Sequence, residues 1–583
     1  MSEARLSWIS GPVLRARPQG PFAVNEAVLI GEQQLLGEVI RLTEDEIVVQ
    51  VYEDTTGLRP GTAVRGTGQP LAVDLGPGLL GNIFDGLLRP LAGMESIHVQ
   101  PGMWKRAPGL FPFMPTVRPG EELEGGALIG EILPKEAMRQ HALLPPDKRG
   151  TVVQIKPAGS YSEDDTVCVV EDNGERHDIR MRHAWPVRIP RPIRRRLPAD
   201  RPMLTGQRIL DALFPLARGG KAALPGGFGT GKTVLQESLA KWCDADVIVY
   251  VGCGERGNEM AGVLHEFPQL QDPRSGRALM ERTVIIANTS NMPVAAREAS
   301  IYTGVTVAEY FRDQGLHVAL MADSTSRWAE ALREVSGRLG ELPGEGGYPA
   351  YLSSRLADFY ERAARVETLS GAEGSLSIIG AVSPPGGDFS EPVTTHTKRY
   401  VRSFWALDRG RAQARFYPAV HPLQSYTEDV DSMAVWWKAE GSPHWADHRR
   451  RFLEILEEQT RLERMARIVG KDSLPPRQQA VLLCGDLINQ AFLRQSSFSP
   501  IDRYASPARQ TAMMNLIVRF IEEALRLVDA DVPLAAITGL PVLRRLQRMG
   551  EDIAEQALDE FQTLSRQLET ELGQLEGSPQ HAR

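Results

Sequence analysis

The stretch LPGGFGTGKTVLQESLAKW, residues 224–242, predicts a glycine-rich loop that leads directly into an amphipathic helix. Glycines let the backbone curl so that successive N–H groups point inward at an anion, and this loop has four: Gly226, Gly227, Gly229 and Gly231. Lys232 would supply a cation for the β- and γ-phosphates of a nucleotide, and Thr233 a hydroxyl ligand for Mg²⁺. Glycines beside a lysine also occur in ordinary turns, but the full eight-residue pattern, at the positive end of a helix dipole, predicts a phosphate-binding loop.

Length and charge limit the classes of protein to consider. The chain has 583 residues, too many for one hydrophobic core, so its length predicts about three or four domains. It carries 74 acidic against 66 basic residues, a net charge of −8. No global basic field is therefore available to attract nucleic acid.

The cysteines and the N-terminus indicate a cytoplasmic protein. Four cysteines lie without CxxC or Cys/His metal spacing: Cys168, Cys243, Cys253 and Cys484. Their scatter predicts reduced thiols that pack as small buried hydrophobes. The N-terminal sequence MSEARLSWISGPVL lacks the apolar region of a signal peptide, and no apolar run approaches the roughly 18 residues of a membrane span. We expect a soluble chain whose membrane work would require partners.

Turn residues and apolar periodicity divide the chain into four regions. Residues 1–75 contain short β-rich runs between Gly, Pro and Asp turns, which indicates a small barrel or sandwich. Residues 110–185 are again β-rich and predict a separate inserted lobe. From 203 to about 430, strand-like runs alternating with helices predict a parallel sheet with ligand chemistry at the strand carboxyl ends, in a nucleotide-binding domain expected to span 76–109 and 186–430. Residues 431–583 have helical periodicity and i,i+4 charge pairs, so we expect a mainly helical domain.

The segment RHAWPVRIPRPIRRRLPADRP, residues 182–202, is rich in proline and arginine. Its prolines argue against a helix or a central strand, so we expect an extended connector. The arginines would suit a nucleic-acid patch, but Trp185 is the one aromatic available for stacking. We therefore favour a solvated or interface segment.

Two predicted strands end in acidic residues that suit a nucleotide-hydrolysing site. HVALMADSTSRW, residues 317–328, ends its apolar run in Asp323, the place of a carboxylate that holds Mg²⁺. VIVYVGCGERGNEM, residues 247–260, ends its run in Glu255, which would orient and polarise an attacking water. Arg256 would hold that site together or contact phosphate oxygens. The alternatives are that Asp323 caps the next turn and that Glu255 and Arg256 form a surface ion pair.

Four long motifs together carry a family resemblance. They are GGFGTGKT, GCGERGNEM, MADSTSRWAEALREVSGRLGELPGEGGYPAYLSSRLADFYERA and GAVSPPGGDFSEPVTTHTKRYVRSFWALD. In these motifs the chain closely resembles the catalytic A subunit of V-type and archaeal-type (V/A-type) rotary ATPases. The resemblance implies a multidomain α/β fold: an N-terminal β-barrel, an inserted β-rich bulge lobe, a RecA-like P-loop parallel-sheet domain and a C-terminal helical domain. That order agrees with the one indicated by composition.

The resemblance also implies roles for single residues in and near the loop. It places the following residues around the phosphates: Gly226, Gly227, Phe228, Gly229, Thr230, Gly231, Lys232, Thr233 and Val234. Glu255 corresponds to the residue that activates water, with Arg256 and Glu259 beside it. Family members commonly have proline where this chain has Gly227, and a second glycine should loosen the unbound loop by up to about 1 kcal/mol. Thr230 stands where eukaryotic vacuolar relatives carry a cysteine that forms a regulatory disulfide, so that switch is impossible here.

Further residues are assigned by the same resemblance. Asp323 corresponds to the Mg²⁺-site carboxylate, together with Thr233, and Arg327 to a nearby cation. Tyr417 falls where the family stacks an aromatic side chain against adenine, and Phe498 would form a second wall of that site. Either aromatic residue would otherwise be part of the hydrophobic core.

Partners and location follow from the resemblance as well. Three A subunits alternate with three non-catalytic B subunits around a central rotating stalk, with a peripheral stalk and a membrane sector that moves H⁺ or Na⁺. The family implies Mg²⁺ as cofactor, ATP and ADP as substrate and product, no nucleic-acid partner, and a cytoplasmic protein peripherally associated with the membrane. The B subunit supplies an arginine finger, worth about 10³ to 10⁵ in rate, so the chain alone should turn ATP over slowly.

Other hexameric ATPases share such a core. An RNA translocase of the Rho type would need a barrel with exposed aromatic and basic residues, whereas DEIVVQVYED in this barrel is acidic. A flagellar or secretion-type homohexameric ATPase usually lacks an inserted lobe between barrel and core. The non-catalytic B subunit lacks the lysine of the phosphate loop, while Lys232 and Glu255 are both present here.

Overall fold

The computed structural model describes residues 2–91, 109–133 and 138–576, which form two compact units. The first unit contains Met1–Pro198, Arg218–Ala223 and Ala245–Val401. The second unit contains Ala199–Ala217, Leu224–Asp244 and Arg402–Arg583. Neither unit is one continuous piece of sequence. Part of the predicted segment 76–109, namely residues 92–108, lies outside the described residues.

A closed six-stranded barrel begins the first unit. Of the two predicted alternatives for residues 1–75, a barrel or a sandwich, the barrel is therefore confirmed. Its strands follow one another in the order Glu3–Ser10, Val13–Pro18, Ile47–Val51, Leu35–Leu42, Glu26–Ile30 and Ala63–Pro70. Alternate side chains of each strand point inward. Val28, Ile30, Val39, Val49 and Val64 fill the interior and are fully buried.

The inserted lobe is β-rich, as predicted, and consists of two four-stranded sheets. One sheet has the order Glu122–Leu123, Gly150–Ile155, Thr166–Asp172 and Glu175–Arg180. The other has the order Gln140–Leu143, Leu128–Ile132, Leu110–Pro115 and Gly159–Ser162. Phe113, Ile129, Val152, Val167 and Ile179 belong to one buried core cluster, so the two sheets share a hydrophobic interior.

A parallel sheet forms the rest of the first unit and confirms the predicted alternation of strands and helices. Its parallel strands, in spatial order, are Glu373–Val382, His317–Asp323, Val247–Glu255, Thr283–Thr289 and Ile83–Phe84. The remaining strands of the unit are Ala72–Leu75, His183–Pro186, Arg195–Arg196, Ala364–Glu367 and the start of Lys221–Pro225. The helices are Gly257–Glu266, Val294–Arg312, Thr325–Leu339, Leu352–Tyr360 and Pro392–Lys398. The strands are continuously apolar because helices cover a parallel sheet on both faces.

The connector at residues 182–202 is extended, as its prolines predict. Arg188 donates to Glu38 of the barrel and to Glu298 of the sheet region, at 2.8 Å in each case. Arg191 is buried and forms a second ion pair, in which its Nε lies 2.6 Å from Asp313 Oδ2. These two arginines therefore bind protein carboxylates. Their side chains are part of an interface within the unit and are not solvated.

Helices dominate the second unit, and the predicted helical C-terminal region is confirmed. The α-helices are Lys232–Trp242, Arg409–Gln413, Val430–Ala439, Trp445–Val469, Pro476–Leu487, Pro507–Asp529, Leu534–Thr538, Pro541–Asp552 and Leu558–Glu576. The unit also contains two π-helices, Ile209–Leu213 and Ile488–Leu493, the 3-10 helix Lys471–Ser473, and two short strands, Ser403–Phe404 and Tyr426–Thr427. Within the three described ranges, no helix has both the length and the apolar character needed to cross a bilayer. All four cysteines are buried, as predicted.

Candidate functional site

The glycine-rich loop of the second unit curls immediately before the helix Lys232–Trp242. Gly229 and Gly231 have φ angles of 77° and 84°, a left-handed backbone that favours glycine. Thr230 fixes the inside of the loop, because its hydroxyl donates to the carbonyl of Gly227 at 2.8 Å. The sequence pattern predicted both the curl and the start of the helix.

The side chains of the loop divide into inward and outward ones. Lys232 and Thr233, in the first helical turn, are half-buried, whereas Phe228 is 83% exposed. A Cβ on Gly226 would lie 2.5 Å from the hydroxyl oxygen of Thr230, so that position has room for glycine alone. A helix N-terminus with a lysine and a hydroxyl beside it is suited to binding phosphate.

A cavity of about 740 Å³ lies beside the loop, within the same unit. Its wall includes Gly229, Gly231, Val234, Tyr417 and Phe498. The Tyr417 ring lies against the loop, since a Cβ on Gly231 would be 3.3 Å from the ring. Small-molecule sites typically measure roughly 300–1,000 Å³, so the cavity has room for the base and ribose of a nucleotide.

The two aromatic residues of this cavity do not belong to the hydrophobic core. Tyr417 is 42% exposed and Phe498 is 92% exposed. The alternative that either is a core residue is therefore wrong. Exposed aromatic faces are suited to stacking on a nucleobase.

In the first unit, Glu255 and Asp323 are the last residues of two adjacent parallel strands. Both carboxylates are at the same edge of the sheet, because parallel strands run in one direction. They are largely buried, at 9% and 4% exposure. The hydroxyl of Tyr250 donates to Asp323 Oδ2 at 3.3 Å. The predicted placement of both residues at strand carboxyl ends is confirmed.

Arg327 follows the strand that ends in Asp323 and interacts electrostatically with Glu255 at the end of the adjacent strand. Its guanidinium pairs with Glu330 at 2.9 Å, and this hydrogen bond raises the pKa of Arg327. The charges of Glu255 and Glu259 raise the same pKa. Glu259 is half-buried in the first turn of the next helix, and Arg256, which precedes that helix, is exposed. Three of the sequence-predicted charged residues of this unit, Glu255, Glu259 and Arg327, thus interact electrostatically.

Sequence reasoning missed Arg297, which lies beside the strand that ends in Glu255. Gly254, one residue before the carboxylate, has a φ angle of 73°. A Cβ there would lie 2.5 Å from Arg297 Cδ and 3.2 Å from Arg327 Cβ. Arg297 Nη2 donates to the carbonyl of Ser290 at 2.8 Å, and burial lowers the pKa of this arginine. No motif in the sequence pointed to this residue.

Four family models match the chain in sequence. The beta-barrel domain of the ATP synthase alpha/beta family matches residues 7–68, and the barrel-sandwich domain of the ATP synthase alpha/beta subunit matches residues 108–188. The nucleotide-binding domain of the alpha/beta family matches residues 206–427. The C-terminal domain of V- and A-type ATP synthases matches residues 434–538. Together these models confirm the predicted order of domain types.

Curated relatives match along almost the whole chain. The V-type ATP synthase alpha chain of Halothermothrix orenii is 49% identical over 97% of this chain and 98% of its own. The A subunit of the A-type ATP synthase of Thermococcus onnurineus is 50% identical over 94% of this chain and 95% of its own. The corresponding protein of Methanopyrus kandleri is 48% identical over 97% of both chains.

One solved structure has a similar fold at low sequence identity. It is the assembled ATPase of the type III secretion system of enteropathogenic E. coli, with a TM-score of 0.65 and 22% identity. The match covers 88% of this chain and 100% of that one. At this identity the likeness supports the fold alone.

Proposed function

The chain belongs to the ATP synthase alpha/beta family, among the A subunits of V-type and A-type ATP synthases, and on this premise we propose how its residues bind and turn over Mg-ATP. It is the catalytic subunit of a rotary ATPase or ATP synthase, whose ATP turnover is coupled in this family to ion transport. The observation that carries this conclusion is 50% identity to the A subunit of the Thermococcus onnurineus enzyme over 94% of the chain.

The phosphate loop binds the triphosphate through backbone N–H groups and the ammonium of Lys232. The left-handed glycines at 229 and 231 support this role, because they turn successive N–H groups toward one point. The whole set consists of Gly226, Gly227, Phe228, Gly229, Thr230, Gly231, Lys232, Thr233 and Val234. Adenine stacks between Tyr417 and Phe498, which line the cavity beside the loop.

Thr233 and Asp323, the residues that the family resemblance assigns to the metal, would hold Mg²⁺. The donor set fits this ion, because a hydroxyl and a carboxylate supply the hard oxygen ligands that Mg²⁺ prefers. Asp323 is almost fully buried at a strand end, where a carboxylate is held in one position. Mg²⁺, when bound, neutralises negative charge on the phosphate oxygens.

Glu255 orients the attacking water and accepts its proton. Its position at a strand end, 9% exposed, holds the carboxylate in a fixed direction. Arg327, whose pKa is raised partly by Glu255 and Glu259, is the nearby cation of the site. Arg256 contacts phosphate oxygens or holds the site together. A general base of this kind contributes about 10² to 10⁴ in rate.

The chain acts in a complex with several other kinds of protein. In an A₃B₃ hexamer, alternating B subunits would supply the arginine finger, and the central and peripheral stalks would connect the hexamer to a membrane sector that moves H⁺ or Na⁺. The protein would lie in the cytoplasm, peripherally associated with the membrane through this complex. The named relatives support a complex of several subunits.

The test is Mg²⁺-dependent ATP hydrolysis by the purified chain, alone and with a B subunit of the same complex. We expect slow turnover by the chain alone and stimulation by at least about 10³ on adding the partner, because the arginine finger is supplied in trans. Chelation of Mg²⁺ should abolish both rates. Glu255→Gln is the control variant, which should bind ATP with an unchanged Kd and lose the stimulated rate.

Full activity without a partner would overturn the proposed division of the site. It would instead indicate a self-sufficient homohexamer, the secretion-type alternative whose fold this chain shares. Loss of ATP binding in Glu255→Gln would show that this carboxylate binds the nucleotide rather than water.

A further inference from the structure

Phe498 lies in a stretch without regular structure, between the π-helix Ile488–Leu493 and the helix Pro507–Asp529. Its ring is 92% exposed, so packing around the side chain does not fix its position. Residues further along the chain on either side are buried: Gln495 is 1% exposed and Asp502 is 3% exposed. The position of the ring therefore depends on what holds the two ends of this loop.

Arg208 holds one end of the loop from a distant part of the sequence. Its Nε donates to the carbonyl of Phe492 at 2.8 Å, and its Nη2 to the carbonyl of Arg494 at 2.6 Å. Its Nη1 forms an ion pair with Asp502. The Arg208 side chain is 1% exposed although it borders the cavity, so its contacts are largely shielded from water.

Asp502 closes the loop around Phe498. Its second carboxylate oxygen accepts from the backbone N–H of Ser496 at 2.9 Å, while the first accepts from Arg208. Residues 496–502 are thereby joined at both ends by one carboxylate. The same scaffold holds the other aromatic, because the Gln495 N–H donates to the carbonyl of Tyr417 at 2.9 Å.

We infer that Arg208 and Asp502 are positioning residues that fix Phe498 against the nucleobase. This inference rests on the proposed function, since it assumes that the cavity beside the phosphate loop binds adenine. Lysine cannot replace Arg208, because one ammonium on a flexible stem cannot reproduce a planar fork that binds three acceptors. Loss of either partner also leaves the other charge buried without its counterion, which moves the loop.

The test compares two ligands on the full chain: Mg-ATP, which has a base, and Mg-tripolyphosphate, which has none. Arg208→Lys should weaken ATP about tenfold, the loss expected when one stacking contact is removed, and change the tripolyphosphate Kd less than about twofold. Phe498→Ala should give the same pattern. The double variant should bind ATP no more weakly than either single one, because both changes remove one contact.

Arg449→Lys is the matched control. Arg449 is another arginine of this unit that donates to a backbone carbonyl, but its acceptor, the carbonyl of Leu213 at 2.7 Å, lies outside the Phe498 loop. It should leave both Kd values unchanged. Asp502→Asn serves as the second variant if Arg208→Lys does not fold, and it should reproduce the loss of ATP affinity alone.

Three outcomes would overturn the inference. If Arg208→Lys weakens the binding of Mg-ATP and of Mg-tripolyphosphate equally, Arg208 supports the whole unit rather than the base site. Unchanged ATP binding in Arg208→Lys and Asp502→Asn, with weakening in Phe498→Ala, would mean that the ring needs no fixing. Failure of the wild-type chain to bind ATP would overturn the proposed function itself, and this inference with it.

Discussion

The two units present two different kinds of candidate site. In the second unit, the cavity is bounded by the backbone of Gly229 and Gly231 and by two exposed aromatic rings, those of Tyr417 and Phe498. In the first unit, Glu255 and Asp323 are almost buried at strand ends, beside Arg327 and Arg297. The difference suggests a division of work: the second unit binds the nucleotide through backbone and stacking, and the first holds charged groups in fixed directions for turnover. Substitutions in one unit should therefore affect one property more than the other.

Gly254→Ala should give the largest effect and should act on turnover. A residue with a Cβ at a φ angle of 73° costs about 1–3 kcal/mol, and here the Cβ would also collide with Arg297 Cδ at 2.5 Å. We expect the unit to lose about 2–3 kcal/mol of stability in urea unfolding and the partner-stimulated ATPase rate to fall, while the Kd for ATP stays the same. Gly257→Ala is the control, because a Cβ there meets nothing within 4 Å. Weaker ATP binding in Gly254→Ala would break the proposed division of work.

Tyr417→Ala should act on binding. Loss of one stacking face costs roughly 1–3 kcal/mol, so we expect the Kd for ATP to rise about tenfold, measured by calorimetry, with the Kd for tripolyphosphate little changed. Tyr417→Phe is the matched control, since the ring remains and the hydroxyl makes one long contact, 3.4 Å to the carbonyl of Ala412. A Phe variant as weak as the Ala variant would show that the hydroxyl, and not the ring, carries the affinity.

The strand ends were predictable because their signals are local. Asp323 and Glu255 each follow an uninterrupted apolar run, and the glycine pattern of the loop specifies a backbone that only glycine adopts easily. The pair of Arg208 with Asp502 and the pair of Arg188 with Glu38 were not predictable. The arginine and the carboxylate are 294 residues apart in the first pair and 150 residues apart in the second. The sequence around an arginine does not indicate which distant carboxylate it will contact.

His183→Gln should have a smaller effect, on the free energy of unfolding at acid pH. Burial, together with the charge of Arg191, lowers the pKa of His183 well below its usual value near 6.5. The folded chain therefore keeps this histidine neutral, and stability that is present above pH 6.5 is lost as pH falls, because only the unfolded chain takes up the proton. Between pH 7.5 and 5.5 this loss is at most about 1.4 kcal/mol, the figure for a histidine that takes up no proton in the folded chain. In the folded chain, His183 Nε2 lies 3.0 Å from Arg191 Nη1. Urea unfolding at both pH values should show a smaller loss in His183→Gln, because the glutamine oxygen can still accept from Arg191 and the side chain gains no charge.

Gly227→Pro should have the smallest effect, and it should strengthen ATP binding rather than weaken it. Proline reduces the freedom of the unbound loop, so we expect ATP to bind more tightly by less than about 1 kcal/mol. Titration with ATP would measure the change, and Gly229→Pro is the contrasting variant, because a φ angle of 77° is impossible for proline. Weaker binding in Gly227→Pro would mean that the carbonyl of Gly227, which accepts from Thr230, needs a backbone that proline cannot adopt.

The discontinuous second unit has a consequence for how this protein changes over generations. The loop assigned to phosphate lies in Leu224–Asp244, whereas both aromatic residues assigned to the base lie in Arg402–Arg583. A single exchange of gene segments after residue 401 would replace the aromatic wall and leave the phosphate loop intact. Preference among nucleotides and the capacity to hold a triphosphate can therefore be inherited separately, although they serve one cavity.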